Sequence, residues 1–157
     1  MSRRKNRRSL SYDAGFDSSA LAYFTAGSIT DATERVAANT IIVGLKAAGI
    51  WDKCDRIYLR SPTSLAAALL CCKTLISQTA VNSPTHSSSG ITFNGTTQYC
   101  RTGDTLLSGM TLLQTNSGHS SVYFSQDVSL GTTLQGAEKD NFPTTDDWFF
   151  LRNGAVA

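Results

Sequence analysis

The stretch DATERVAANTIIVGLKAAGIW, residues 31–51, decides how the N-terminal half of the chain folds. Asp31 can accept from the first free N–H groups of a helix. Glu34, three residues on, can reach back to close a reciprocal cap whose more usual first member is Ser or Thr. Behind the cap, Val36, Ala37, Ile41, Val43, Leu45, Ala47 and Ala48 recur on a helical period, which predicts a helix over 33–48. Gly49 stands where a left-handed C-terminal cap belongs, with Ile50 and Trp51 placed to fold back on the helix end before a short turn to Cys54. Val36, Ile41, Leu45 and Trp51 are the candidates for assembly and packing contacts.

Upstream, Tyr12, Phe16, Leu21, Tyr23 and Phe24 mix with Asp13, Asp17 and small residues. This fits a short docking helix from Asp17 or Ser18, or equally an arm packed on a neighbouring subunit. The start is different in kind. Arg3, Arg4, Lys5, Arg7 and Arg8 supply five of the fourteen basic residues, so a chain of net charge +2 divides into a basic arm and a body of about −3. With almost no apolar side chains to bury, residues 1–11 are expected to be flexible unless a partner holds them. Contact with nucleic acid or an acidic protein surface and a simple solvated tail explain the arm equally well.

Downstream, the segment RIYLR at 56–60 predicts a strand bounded by Ser61 and Pro62. Leu65, Ala66, Ala67, Ala68, Leu69 and Leu70 favour a short helix within 64–73, capped by Thr63 or Ser64. From Thr79 the pattern changes to short β-prone pieces at 79–81, 90–93, 98–101, 111–114, 120–125 and 148–152, separated by polar turn residues. Asn94-Gly95 carries the signal of a tight hairpin turn and predicts that the strands on either side of it pair. The apolar piece Trp148 to Leu151, followed by Asn153-Gly154 and no return strand, predicts a sheet completed by further chain or by another subunit.

The fold expected is α+β: a flexible arm at 1–16, a helical anchoring region with a short strand at 17–78, and an incomplete antiparallel β-sandwich portion at 79–157. With 41% hydrophobic and 17% charged residues, a real core can form, and no run reaches the roughly 18–20 apolar residues of a membrane helix. No secretory signal is expected, and a cytoplasmic origin follows.

The chemistry of catalysis has little to stand on. His86 is expected in a Ser/Thr-rich loop and His119 near a Gly-bounded turn, outside any motif, and no nucleophile elbow, phosphate loop or zinc helix occurs. Cys54, Cys71, Cys72 and Cys100 form no CxxC pair, so a zinc site lacks support, and Cys71-Cys72 reads as core packing. Asp140, Asn141, Asp146 and Asp147 lack regular calcium-loop spacing and read as a solvated loop. No catalytic residue, metal ligand or cofactor site is expected.

An ordered series of segments carries a resemblance: GSITDAT at 27–33, GLKAAGIW at 44–51, DRIY at 55–58, SLAAALL at 64–70, TAVNSPT at 79–85 and GITFNGTTQY at 90–99. Over 21–136 the chain resembles phage virion proteins in which an N-terminal helix leads into a concanavalin-like or laminin-G-like (jelly-roll) β-sandwich. The basic arm and the cysteines at Cys71, Cys72 and Cys100 depart from that pattern. The resemblance implies a capsid or tail component of a virion, self-associating and bound to other virion proteins, and it names no active site. A lectin-like module recognising host glycans for attachment is the alternative it leaves open, with an exposed aromatic of the β region as the contact.

Overall fold

The computed structural model describes residues 15–94, 96–102 and 111–112, and these have mixed α+β structure. They fall into two compact units, one containing 15–77 and 86–91 and the other containing 78–85 and the described residues from 92 onward. Residues 1–14 with the basic run, His119, the acidic cluster at 140–147 and the strands expected at 120–125 and 148–152 lie outside the described residues.

In the first unit α1 (Ser18–Ala26) and α2 (Ala32–Ala47) form a helical hairpin. Asp17 caps α1 by accepting from the Ser19 N–H at 2.8 Å, and its own N–H donates to Asn39 Oδ1 on α2 at 2.8 Å. Asp31 caps α2 as expected, accepting from the Glu34 N–H at 2.8 Å. The reciprocal half of that cap is replaced, because the Glu34 carboxylate accepts from the Ser61 and Thr63 hydroxyls instead. A tertiary pair of donors has displaced the local one.

The far end of α2 obeys the expected rule. Gly49 has φ +67°, the left-handed region that glycine enters without a Cβ penalty. Its N–H donates to the Lys46 carbonyl and that of Ile50 to the Leu45 carbonyl, the two bonds of a Schellman stop. Trp51 then turns into the core at the start of the 3₁₀ helix Trp51–Lys53, while Ile50 stays half exposed. Lys73 reaches across and donates to the Trp51 and Cys54 carbonyls at 2.8 and 2.6 Å, satisfying acceptors at that short helix.

The core joins Ala20, Tyr23 and Phe24 of α1, Ala38 and Ile42 of α2, and Ile29, Trp51, Ala67, Leu70 and Cys72. Phe16 packs edge-on against Phe24, ring centres 5.5 Å apart. Helix α3 (Leu65–Leu69) is shorter than expected, capped by Ser64, whose hydroxyl accepts from the Ala67 N–H at 3.1 Å. The chain leaves it because residues 70–72 pair in extended form: Leu70 bridges Ser77, Cys71 bridges Tyr58, and the Cys72 N–H donates to the Ile57 carbonyl at 2.8 Å.

The strand expected over 56–60 is therefore reduced to a single bridge at Tyr58. Arg60 has φ +56°, which ends the extended run, and its guanidinium donates to the Ala68 carbonyl at 3.2 Å. Cys71 and Cys72 are buried, as expected of core thiols, and all four cysteines are thiols, not disulfides.

Burial and the nearby Cys71 push the Cys72 thiol up to about 12, and burial raises the Tyr23 phenol as well. Both groups are neutral in the fold and ionise more readily once unfolded. Their contribution to stability is complete below the unfolded thiol value near 9 and is lost as pH rises toward 12. Between pH 7 and 10.5 the urea midpoint should fall by the equivalent of about 2 kcal/mol, and Cys72→Ala should remove most of that pH dependence. An unchanged midpoint at pH 10.5 would contradict the burial argument.

The second unit holds an antiparallel pair, β1 (Thr79–Val81) with β4 (Tyr99–Arg101), in the register Thr79 with Arg101, Ala80 with Cys100 and Val81 with Tyr99. The other pair, β2 (Thr85–Ser87) with β3 (Gly90–Thr92), joined by a turn at Ser88 and Ser89, has its residues 86–91 in the first unit. The hairpin expected across Asn94-Gly95 does not form. The Asn94 side-chain oxygen accepts from the N–H groups of Thr96, Thr97 and Gln98, which builds a loop where a two-residue turn was expected. Gln98 donates to the Asn82 and Ser83 carbonyls, both at 3.0 Å, and this directs the following strand to β1. His86, expected in a loop, lies in β2, and residues 111–112 form a bend where a strand was expected to begin. The described β structure consists of these two small antiparallel sheets.

Candidate assembly face

Helix α2 carries three charged side chains, and every one of them is turned toward the protein. Glu34 binds Ser61 and Thr63. Arg35 lies over the rings of Phe16 and Phe24, 5.4 and 4.9 Å from their centres. Lys46 donates to Asp17 at 2.6 Å and to the Ser19 hydroxyl at 2.8 Å, and stands 5.1 Å from the centre of the Trp51 ring. The hydrogen bond from Lys46 holds the Asp17 carboxyl below its ordinary value, against an opposing desolvation effect.

What α2 and its C-terminal cap show to solvent is consequently uncharged: Ala32, Thr33, Val36, Ala37, Thr40, Ile41, Val43, Gly44, Ala47 and Ala48. A solvated helix face ordinarily carries its charged residues outward and its apolar ones inward. Here Val36, Ile41 and Val43 are 46%, 47% and 45% exposed. The Thr40 hydroxyl donates to the Val36 carbonyl at 2.8 Å within the helix, so it presents its methyl group with its proton already satisfied. Helix continuity holds Val36, Thr40, Val43 and Ala47 in one rigid row, with Ile41 about 140° round the helix from Val36, between the Asp31 cap and the Gly49 stop.

Beside the row, Tyr23, Asp31, Glu34, Ile41, Leu59 and Pro62 line part of an open groove of about 290 Å³. Its lining is mostly apolar and includes two carboxylates, Asp31 and Glu34, of which Glu34 is already engaged by the hydroxyls of Ser61 and Thr63. No set of three or more His, Cys, Asp or Glu side chains that could hold a metal occurs among the described residues. No described helix is long and apolar enough to cross a membrane.

The four packing candidates separate into two pairs. Trp51 is in the core and Leu45 packs partly against it, while Val36 and Ile41 lie on the exposed face. Sequence periodicity missed Ala38 and Ile42, the residues α2 buries most deeply. The signal that could have found them is the charges: Glu34, Arg35 and Lys46 flank Ala38 and Ile42 on the helix surface, so partners for the charges and the core lie on one side. No family model, curated protein or solved structure matches the chain.

Proposed function

We propose that this chain is a non-catalytic structural component of a virus particle, of the bacteriophage kind, held to other virion proteins through α2 and its N-terminal arm. Its β region, built on a concanavalin-like sandwich, displays or cements on the particle. The observation that carries the reading is the outward face of α2, a helix that has turned all its charge inward and presents Val36, Ile41 and Val43 to solvent. A contiguous exposed apolar surface marks an interaction site more often than it marks nothing. Covering a half-exposed Val or Ile contributes on the order of 1 kcal/mol each, so Val36 and Val43, which share one side of the helix, make a useful anchor, with Ile41 at the far edge of the outward face. The arm at 3–8 adds a second point of contact with acidic surfaces or nucleic acid.

The test is incorporation. In producing cells, the double variant Ile41→Asp with Val43→Asp should leave the particle fraction of a density gradient and migrate at the top, where the native chain co-sediments with particles. Both positions are half exposed, so the fold tolerates the change, and an unchanged far-ultraviolet circular dichroism spectrum checks this. Incorporation at the native level would overturn the reading, because a charge desolvated in a packed face carries a large penalty.

A further inference from the structure

We propose that residues 8–12, from the chain's own N-terminal arm, lie as a strap along the groove beside α2, with Arg8 at the Asp31 and Glu34 carboxylates and Leu10 and Tyr12 against Ile41, Leu59 and Pro62. The groove and the arm carry this by themselves, whether or not the chain belongs to a particle.

The sequence RSLSYD at 8–13 alternates in character. An extended backbone sets Arg8, Leu10 and Tyr12 on one face and Ser9, Ser11 and Asp13 on the other, the pattern of a segment with one covered side. The groove offers the complement, with apolar walls from Ala37, Ile41, Leu59 and Pro62 beside two carboxylates. Asp31 accepts from the Glu34 N–H, and Glu34 accepts from the Ser61 and Thr63 hydroxyls; neither has a cationic partner among the described residues. Arg35 is engaged with the Phe16 and Phe24 rings, and Arg60 with the Tyr58 ring and the Ala68 carbonyl. An arm carrying five cations supplies the missing charge, and a guanidinium matches a carboxylate in geometry as well as in sign.

The arm is rooted where it can reach. The Asp17 N–H donates to Asn39 Oδ1 at 2.8 Å, which fixes the base of the arm beside the middle of α2. Asn39 and Ile41 stand about 200° apart round the helix, and the way between them runs over Thr40, because Ala38 and Ile42 are buried on the other side. A helix is about 10–12 Å across, and the five residues from Asp17 to Tyr12 span up to about 17 Å, enough to pass over it. The Thr40 hydroxyl, already donated to the Val36 carbonyl, can be covered without losing a partner. From Tyr12 to Arg8 an extended chain runs about 13 Å. From Ile41 back to Glu34 and Asp31, α2 runs about 10 and 15 Å, so Tyr12 at Ile41 sets Arg8 beside the carboxylates. Docking within one chain gives the arm an effective concentration on the order of millimolar, so a short strap suffices. An acidic surface or nucleic acid that takes Arg8 frees the strap and uncovers the Thr40 side of α2. The arm is thus a latch on the assembly face.

Backbone nitrogen relaxation of the full chain by NMR should give order parameters of about 0.85 at Arg8, Leu10 and Tyr12, as in a rigid helix. Nuclear Overhauser contacts should run from Leu10 and Tyr12 to Ile41 and Leu59. Leu10→Asp and Arg8→Glu, changes confined to the arm, should each bring these order parameters below about 0.6. Asp31→Asn keeps an N-cap acceptor and should loosen Arg8 with the helix intact. Raising the ionic strength from about 0.15 to 1 M shortens the screening length from about 8 to 3 Å and should do the same.

Native order parameters below about 0.6 across 8–12 overturn the strap, as do contacts of Leu10 and Tyr12 with any other surface. Order that falls on dilution overturns docking within one chain, and an Arg8 insensitive to salt and to Asp31→Asn overturns the carboxylate pairing. A chain that enters particles with its arm unstrapped removes the strap and keeps the assembly reading. A strapped chain that never enters particles does the reverse.

Discussion

Replacing Trp51 with alanine is expected to lower the unfolding free energy by about 3–5 kcal/mol, read as a fall in urea midpoint at unchanged slope. The indole is only 8% exposed and sits in the core cluster directly behind the Gly49 stop. Removing it leaves a void that a short 3₁₀ turn, held by Lys73 through backbone carbonyls, is badly placed to close. The Lys46 ammonium would also lose the aromatic face 5.1 Å away. A small domain has only about 5–15 kcal/mol of stability in all, so the variant should be close to unfolded at 37 °C. The neighbouring Ile50→Ala, at a half-exposed position, should stay within about 0.5 kcal/mol of the native chain. A Trp51→Ala effect below about 1 kcal/mol would show that the indole is not part of the packed core.

The second large effect separates two adjacent isoleucines. Ile42 is fully buried, and Ile42→Ala should cost about 2–5 kcal/mol. Ile41 is 47% exposed, and Ile41→Ala should change stability by about 0.5 kcal/mol or less. Both positions lie inside the same capped helix, so propensity and capping effects are common to the two and the difference reports burial alone. Equal costs for the two would mean that α2 is rotated on its axis relative to the arrangement described, and the outward face would have to be redrawn.

That pair also shows where sequence reading reached its limit. The existence of α2, its Asp31 cap and its Gly49 stop were legible because each is a local event: an acceptor three residues from a donor, and one residue without a Cβ at a left-handed position. The rotation of the helix was not legible in the same way. Ile41, Ile42 and Val43 are consecutive and apolar, so periodicity alone accepts more than one buried face. Of the packing candidates on the helix, Val36 and Ile41 fall on the outer side and Leu45 is partly buried, because apolar periodicity takes no account of where Glu34, Arg35 and Lys46 find partners. They face protein because Ser61, Thr63, Phe16, Phe24 and Asp17, distant in sequence, supply their partners.

The same division between local and distant causes runs through the β pieces. Thr79–Val81, Gly90–Thr92 and Tyr99–Arg101 were legible as short strands within a residue or two. Their partners were not, because the Asn-Gly signal is ambiguous between a two-residue turn and a loop organised by the asparagine side chain. Gln98 settled it through bonds to Asn82 and Ser83, fifteen or sixteen residues back. Strand Thr85–Ser87 was hidden by its Ser- and Thr-rich surroundings, whose composition reads as loop. The candidate face itself was half legible: Val36 and Ile41 were picked out, but for their apolar character and not for the missing charge around them.

The side-by-side thiols of Cys71 and Cys72 give this protein a gauge of its own motions. The Cys71 sulfur accepts from the Ile57 N–H at 3.3 Å, beside the bridge that joins Tyr58 to the same residue, and neither thiol has appreciable contact with solvent. A small thiol reagent can reach them only during excursions in which residues 57–58 and 70–72 come apart, so its slow rate counts those excursions. The chain thus records, without any added label, how often its interior breathes, and any partner that steadies the surrounding helices would slow that clock.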